Sequence, residues 1–242
     1  MREWVKDTVA VYSWLKQKGV YRQLAEIYVK SGWIERVGRG AFKRSGDRVD
    51  WRGAVYTLQT QLKMSVHPAG KTALQMHGYA HYVPANLKQS KVVLFGAQNE
   101  RIPLWFNEYD WGLDVRCVMS GLFGEEKELG LTEYDTGNFL IKISSPERAA
   151  LELCYEVFPE ESFSELNEIM ESLTTLRPGL VQELLEKCRS VKAKRLFMHF
   201  SEKHGHAWTG RINLTTINFG SGKRSFFKGG RYDDKYKIVV PE

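Results

Sequence analysis

Residues 31–44 read Ser-Gly-Trp-Ile-Glu-Arg-Val-Gly-Arg-Gly-Ala-Phe-Lys-Arg. Apolar and charged residues alternate on both sides of Gly38-Arg39-Gly40, and the glycines supply the backbone freedom that a tight turn needs. This stretch predicts a β-hairpin over 33–37 and 41–44. Two helical patterns precede it. Trp4, Thr8, Val11 and Leu15, with Val5, Val9 and Tyr12, recur at helical spacing and predict a helix over 4–17, stopped by Lys18-Gly19. Residues 21–31 predict a second helix, with Leu24, Ile27, Tyr28 and Ser31 on one face and Arg22, Ala25, Glu26 and Val29 on the other. Gly32 stops it.

Helix, short turn, helix and basic hairpin is the chain order of a winged helix-turn-helix. In that arrangement the second helix enters the DNA major groove and the wing lies along the backbone. The long polar or aromatic residues available to the helix are Tyr21, Arg22, Gln23, Glu26 and Lys30. Those of the wing, suited to phosphates, are Arg36, Arg39, Lys43 and Arg44. The pattern alone leaves open an ordinary αα-hairpin followed by a solvated basic β-hairpin.

Downstream, Asp50 can cap a third helix over 51–64 with Ala54, Val55, Leu58 and Leu62 inward. A short strand over 65–67 and a helix over 71–78 follow. Strand patterns then dominate at 92–95, 104–106, 114–119 and 139–143. Ser145-Pro146 reads as an N-cap followed by proline at the first helical position, opening a helix to about 158. Further helices are expected at 162–173, 178–188 and 191–204, and a final strand at 236–240. The predicted fold class is α+β: a winged helix-turn-helix over 1–85 followed by a mixed α/β domain over 86–242.

Charge comes in blocks. Residues 1–52 hold 12 Lys/Arg against 6 Asp/Glu, residues 100–186 hold 6 against 19, and residues 187–237 hold 13 against 3. Segregated signs suggest separate surfaces for separate partners, or blocks that neutralise one another on folding. No apolar run is long enough to span a membrane, and Cys117, Cys154 and Cys188 have no paired spacing. Reduced thiols in a cytoplasmic protein are the expectation.

Residues 14–44, from Trp-Leu-Lys-Gln-Lys-Gly through the Glu-Arg-Val-Gly-Arg-Gly wing, resemble the N-terminal domain of AbiE-type antitoxins, the AbiEi family. Val66-His67-Pro68-Ala69-Gly70-Lys71-Thr72-Ala73-Leu74 through Val83 resembles the same family, as do Phe-Gly-Ser-Gly-Lys-Arg (219–224), Gly-Gly-Arg (229–231) and Lys-Tyr-Lys-Ile-Val-Val-Pro (235–241). The resemblance implies the antitoxin half of a type IV toxin–antitoxin system linked to abortive infection by phage. It further implies a repressor that binds inverted repeats in double-stranded operator DNA, a C-terminal domain that counteracts a nucleotidyltransferase-like toxin, no cofactor and no enzymatic activity. The alternatives are a nucleic-acid-processing enzyme or a pure protein-interaction module that uses the winged helix for positioning.

Other motifs invite rival chemistries. Gly70-Lys71-Thr72 sits between a strand and a helix, as in a phosphate-binding loop, but Ser65 occupies the required first glycine and Pro68 lacks an N–H. A helix N-terminus with Thr72 near the cap is the plainer expectation. His77/His81 and His204/His206 could each join a metal site, yet surface or capping roles fit them better. A metal-dependent nuclease needs a carboxylate two residues before a strand lysine, and Leu140 precedes Lys142. Glu160, Glu161, Glu165, Glu168 and Glu171 read as one solvated helix face. Lys192, Lys194 and Arg195, with Lys223, Arg224, Lys228 and Arg231 around Phe226 and Phe227, read as a basic exterior or, secondarily, a partner-binding face.

Overall fold

The computed structural model describes residues 3–79, 91–156, 162–225 and 230–240. His81, Glu160, Glu161, Phe226, Phe227 and Lys228 lie outside them. The chain forms two compact units, each assembled from separate stretches: Met1–His67, Pro84–Ser120 and Glu133–Ile143 in the first, Pro68–Val83, Gly121–Thr132 and Ser144–Glu242 in the second.

In the first unit the expected 4–17 helix is replaced at its start by extended chain. Strand β1 (Ala10–Val11) precedes helix α1 (Tyr12–Gln17). The apolar run Val9-Ala10-Val11 is wholly buried, and pairing with the hairpin strand at 41–42 holds Ala10 and Val11 extended. Gly19, at φ +80°, ends α1 as expected, and α2 (Arg22–Lys30) follows. Strands β2 (Ile34–Gly38) and β3 (Ala41–Arg44) then form the anticipated antiparallel hairpin, in a sheet of order β1–β3–β2. Ala10 pairs with Phe42 and Val11 with Ala41. Trp4, Leu15, Val20, Ala25, Ile34 and Phe42 make the core beneath α1, α2 and the hairpin.

Helix α3 (Trp51–Thr60) is capped as predicted, with Asp50 accepting the N–H groups of Arg52 and Gly53. It ends four residues earlier than expected, before Lys63 turns into left-handed backbone at φ +55°. Side chains of this helix and of its C-cap, Gln61, bind the other edge of the extended segment. Thr57 Oγ1 donates to the Val9 carbonyl at 2.6 Å, and the Gln61 amide accepts the Val11 N–H at 2.9 Å and donates to Val9 O at 3.0 Å. Gly53 is required where α3 crosses this segment, because a Cβ there would sit 2.1 Å from the Asp7 carbonyl oxygen.

Strand β4 (His67–Pro68) lies in a sheet of order β4–β5–β6, in which β5 (Lys91–Ala97) and β6 (Asp114–Ser120) run parallel. Between β5 and β6, residues 104–106 were expected as a strand but open helix α5 (Leu104–Glu108). Pro103 stands at the N-cap of this helix, and both Trp105 and Phe106 are buried. Strands β7 (Leu131–Asp135) and β8 (Leu140–Ser144) form a two-stranded sheet, and Lys142 of β8 exchanges two backbone hydrogen bonds with the Gln59 side chain of α3.

The second unit is built on α6 (Pro146–Glu156), which packs on α4 (Gly70–Met76), α7 (Ser162–Ser172), α8 (Pro178–Lys187) and α9 (Val191–Lys203). A small sheet, order β10–β11–β9, joins β9 (Arg224–Ser225), β10 (Arg231–Asp233) and β11 (Ile238–Val240).

The expected basic exterior at 192–195 is interior instead. Arg195 is 1% exposed and donates to the carbonyls of Phe219, Gly222, Gly220 and Lys237 at 2.8–3.2 Å. Lys194 is buried, and Lys192 donates to the Tyr155 carbonyl at 3.0 Å while burial pushes its ammonium down to about 8. A guanidinium satisfies carbonyls that no regular ladder reaches, so the loop around 219–222 needs a buried charge that apolar periodicity cannot announce.

Two stability outcomes follow. Helix propensity alone would make Gly53→Ala stabilising by about 1 kcal/mol. The contact with the Asp7 carbonyl reverses the sign, since forced overpacking costs about 1–3 kcal/mol, and urea denaturation should show a net loss. Arg195→Met strands several buried carbonyls, each costing about 1–3 kcal/mol, and should lower the thermal midpoint markedly. An unchanged midpoint would mean that those carbonyls find other partners.

Candidate nucleic-acid interface

The orientation of α2 is set by what it buries. Ala25 is buried in the core, and Leu24, Tyr28 and Val29 pack partly against it. The outward face is therefore Arg22, Gln23, Glu26, Ile27 and Lys30. The predicted face is corrected on two counts: Ala25 and Val29 turn inward, and Ile27 turns out, 58% exposed. The buried stripe follows 24, 25, 28 and 29, and a small alanine at its centre lets α2 approach the core closely. Tyr21, just before the helix, and Trp33, just after it, are also exposed, and Trp33 stacks on Tyr28 with ring centroids 6.2 Å apart.

The hairpin stands directly beside this face. Gly40, at φ +75°, makes the turn, and its carbonyl accepts the Tyr12 N–H at 2.7 Å. Gly38 has a different duty. A Cβ there would lie 2.7 Å from Trp105 Cβ, so this glycine makes room for α5. The β2–β3 register shifts between Arg36 and Gly38, where Val37 is the extra residue.

Most of the wing's charge is already engaged. Arg36 reaches back to α2, where its Nη2 donates to both carboxylate oxygens of Glu26 at 2.5 and 2.6 Å, and its guanidinium lies over the Phe42 ring. Lys43 pairs across the strands with Glu35 at 3.1 Å, and Arg44 with Asp47 at 3.1 Å. Arg39, at the exposed tip, has no hydrogen-bond or ion-pair partner among the described residues. The structure thus brings the helix and wing candidates together on one surface but divides them: Tyr21, Arg22, Gln23, Lys30 and Arg39 project freely, whereas Glu26, Arg36, Lys43 and Arg44 hold the surface in shape. Exposed ion pairs contribute about 0–1 kcal/mol each, so their effect is on geometry more than on stability.

The rival motifs are absorbed by the second unit's own structure. The Gly70 N–H donates to the buried Glu152 carboxylate at 3.1 Å, so an acidic side chain stands where a bound phosphate would, and Thr72 lies in the first turn of the helix. Ser144 Oγ and Arg148 Nε donate to the same carboxylate at 2.7 and 2.8 Å. His77 Nε2 lies 2.9 Å from the Ser144 carbonyl, His204 Nε2 3.2 Å from Asn167 Oδ1, and His206 Nε2 2.7 Å from the Met170 carbonyl. Glu168 and Glu171 are exposed on α7, and Glu165 is salt-bridged to Lys71. Among the described residues no group of three or more His, Cys, Asp or Glu side chains could hold a metal ion, and no helix is long and apolar enough to cross a membrane.

Two family models match nearly the whole chain. Residues 1–85 match the model described as "Transcriptional regulator, AbiEi antitoxin N-terminal domain", and residues 89–241 match "Transcriptional regulator, AbiEi antitoxin, Type IV TA system". The chain belongs to the AbiEi antitoxin family. That family is one of transcriptional regulators and antitoxins of type IV toxin–antitoxin systems, not of enzymes. No curated protein matches the chain. Among solved structures, the RV2827C protein from Mycobacterium tuberculosis is similar at 14% identity and a TM-score of 0.60, over 96% of this chain and 86% of that one. At that identity the likeness concerns the fold. In this AbiEi chain the fold places a helix and a wing on one exposed surface, and the arrangement is mixed α and β throughout.

The hydrogen bond from Arg36 holds the Glu26 carboxyl below the ordinary glutamate value, against the opposing effect of burial. A depressed carboxylate favours the folded arrangement above its unfolded value and loses that contribution as pH falls through the folded one. Glu26 should therefore stay ionised below the range where a free glutamate protonates. In an NMR pH titration of the side-chain carboxyl carbons, Arg36→Gln should return Glu26 toward the ordinary value. An identical curve in the two proteins would mean that the bridge is not populated in solution.

Proposed function

We propose that this chain is a DNA-binding autorepressor and antitoxin. It binds inverted repeats in the promoter of its own operon through α2 and the wing, and its C-terminal region counteracts a nucleotidyltransferase-like toxin. The observation that carries this reading is the surface formed by the outward face of α2 and the hairpin tip. Arg22, Gln23 and Lys30 project from one side, Arg39 projects from the other, and the Glu26–Arg36 bridge spans the two. A nine-residue helix, Arg22–Lys30, with its polar side chains outward suits the major groove, and a guanidinium at a hairpin tip suits a backbone phosphate. The family's description as a transcriptional regulator agrees with this use of the surface.

The wing's role in this reading narrows from four phosphate contacts to one principal contact. Among the described residues Arg39 is the wing cation without an ion-pair partner, while Arg36, Lys43 and Arg44 would have to leave an in-chain carboxylate before reaching DNA. A gel-shift titration against the chain's own promoter fragment tests this at two or more salt concentrations. The intact protein should bind that fragment in preference to random duplex, with affinity falling steeply with salt. Arg39→Ala should weaken binding to all sequences alike and reduce the slope of log K against log salt by about 1. Equal affinity for promoter and random DNA would refute the repressor assignment.

A further inference from the structure

We infer that Ile27 reads a thymine of the operator through its C5-methyl group, and that it is the specificity-determining apolar contact of this surface. The inference rests on the proposal that α2 enters the major groove.

The helix presents five outward residues, and their chemistry is uneven. Arg22 and Lys30 are cations suited to phosphate or guanine, and Gln23 carries an amide suited to adenine. Glu26 would be the natural acceptor for a cytosine amino group, but both of its carboxylate oxygens are held by Arg36 at 2.5 and 2.6 Å. That leaves Ile27. It is 58% exposed in the free protein, although burying such a side chain is favourable and the α2 core lies one helical step away. It stands one turn after Gln23 and one turn before Lys30 along the same face, so a helix lying in the groove with these residues toward the bases carries Ile27 toward them too. The major-groove edge of B-DNA offers one apolar feature, the thymine methyl. A lone branched hydrocarbon set among polar groups has no other complementary target on a duplex.

The selection is thus geometric. The Glu26–Arg36 bridge partly neutralises the acidic residue, so that it meets a base only as one half of an ion pair, and it holds the wing against the helix. The base-facing set that remains is Arg22, Gln23 and Ile27. An adenine or guanine neighbouring a thymine is the step that such a set would prefer.

The test uses the promoter duplex protected by the intact chain in a footprint, with each protected thymine replaced in turn by deoxyuridine. This replacement removes only the methyl group and keeps base pairing. Binding by the intact chain should weaken about fourfold at one thymine per half-site, the effect of about one buried methyl group. Ile27→Ala should bind the unmodified duplex about fourfold or more weakly and should be insensitive to deoxyuridine at that same position. Ile27→Val should keep the sensitivity. Because Ile27 is exposed, thermal melts of the three proteins should coincide, which separates a contact effect from unfolding. Specific binding with no sensitive thymine, or an Ile27→Ala protein as sensitive as the parent, overturns this inference while leaving the DNA-binding proposal intact. Absence of any protected sequence overturns both.

Discussion

The winged surface depends on one extended stretch of backbone, Val9 to Val11. Its ladder edge pairs with β3, fixing Ala10 opposite Phe42 and Val11 opposite Ala41. Its other edge would be a row of unpaired buried groups, and α3 and its C-cap close it with the side chains of Thr57 and Gln61. Buried backbone groups need partners, so strand, hairpin and α3 are mutually required. The Tyr12 N–H then binds the hairpin turn at Gly40, which ties the start of α1 to the wing. The relative position of α2 and the wing is set last, by the Glu26–Arg36 bridge across their outer surface and by the core around Ala25 and Ile34 beneath it.

The second unit solves a related problem with buried charge. Glu152 accepts from Gly70, Ser144 and Arg148, and Arg148 in turn donates to the carbonyls of Lys127 and Leu129 at 2.7 Å and lies over the Phe123 ring. One carboxylate and one guanidinium therefore fasten the start of α4 and the 121–130 segment to α6. Arg195 does the same for the loop at 219–222. An uncompensated buried charge is strongly destabilising, whereas a fully bonded one specifies a single arrangement. These residues explain why a chain that is basic at both ends does not simply present all its cations to solvent.

The basic hairpin, the helix stops at Gly19 and Gly32, the Asp50 cap and the Ser145-Pro146 helix start were legible because each is a local event, governed by residues a few positions apart. The outward face of α2 was misread where neighbouring apolar residues compete for the interior. Periodicity admits both a 24/27/28/31 stripe and a 24/25/28/29 stripe, and only the shape of the opposing core, which takes Ala25 and leaves Ile27 outside, chooses between them. Residues 4–17 failed for a similar reason. An amphipathic count matched a helix, but the demand for a third strand beside β3 came from residues some thirty positions away.

The sequence by itself determined that this chain carries a helix followed by a cationic hairpin, and it determined the family resemblance that the family models bear out. It could count the wing's charges but not allot them. Glu26 and Arg36 are ten residues apart, Glu35 and Lys43 eight, and whether such pairs meet depends on hairpin register and helix rotation. Tertiary structure decided which cation stays free at the tip, which basic residues sink into the core, and which apolar residue is left facing out. The physical reason is that charge and hydrophobicity are properties of residues, whereas pairing and exposure are properties of distances that only the folded chain defines.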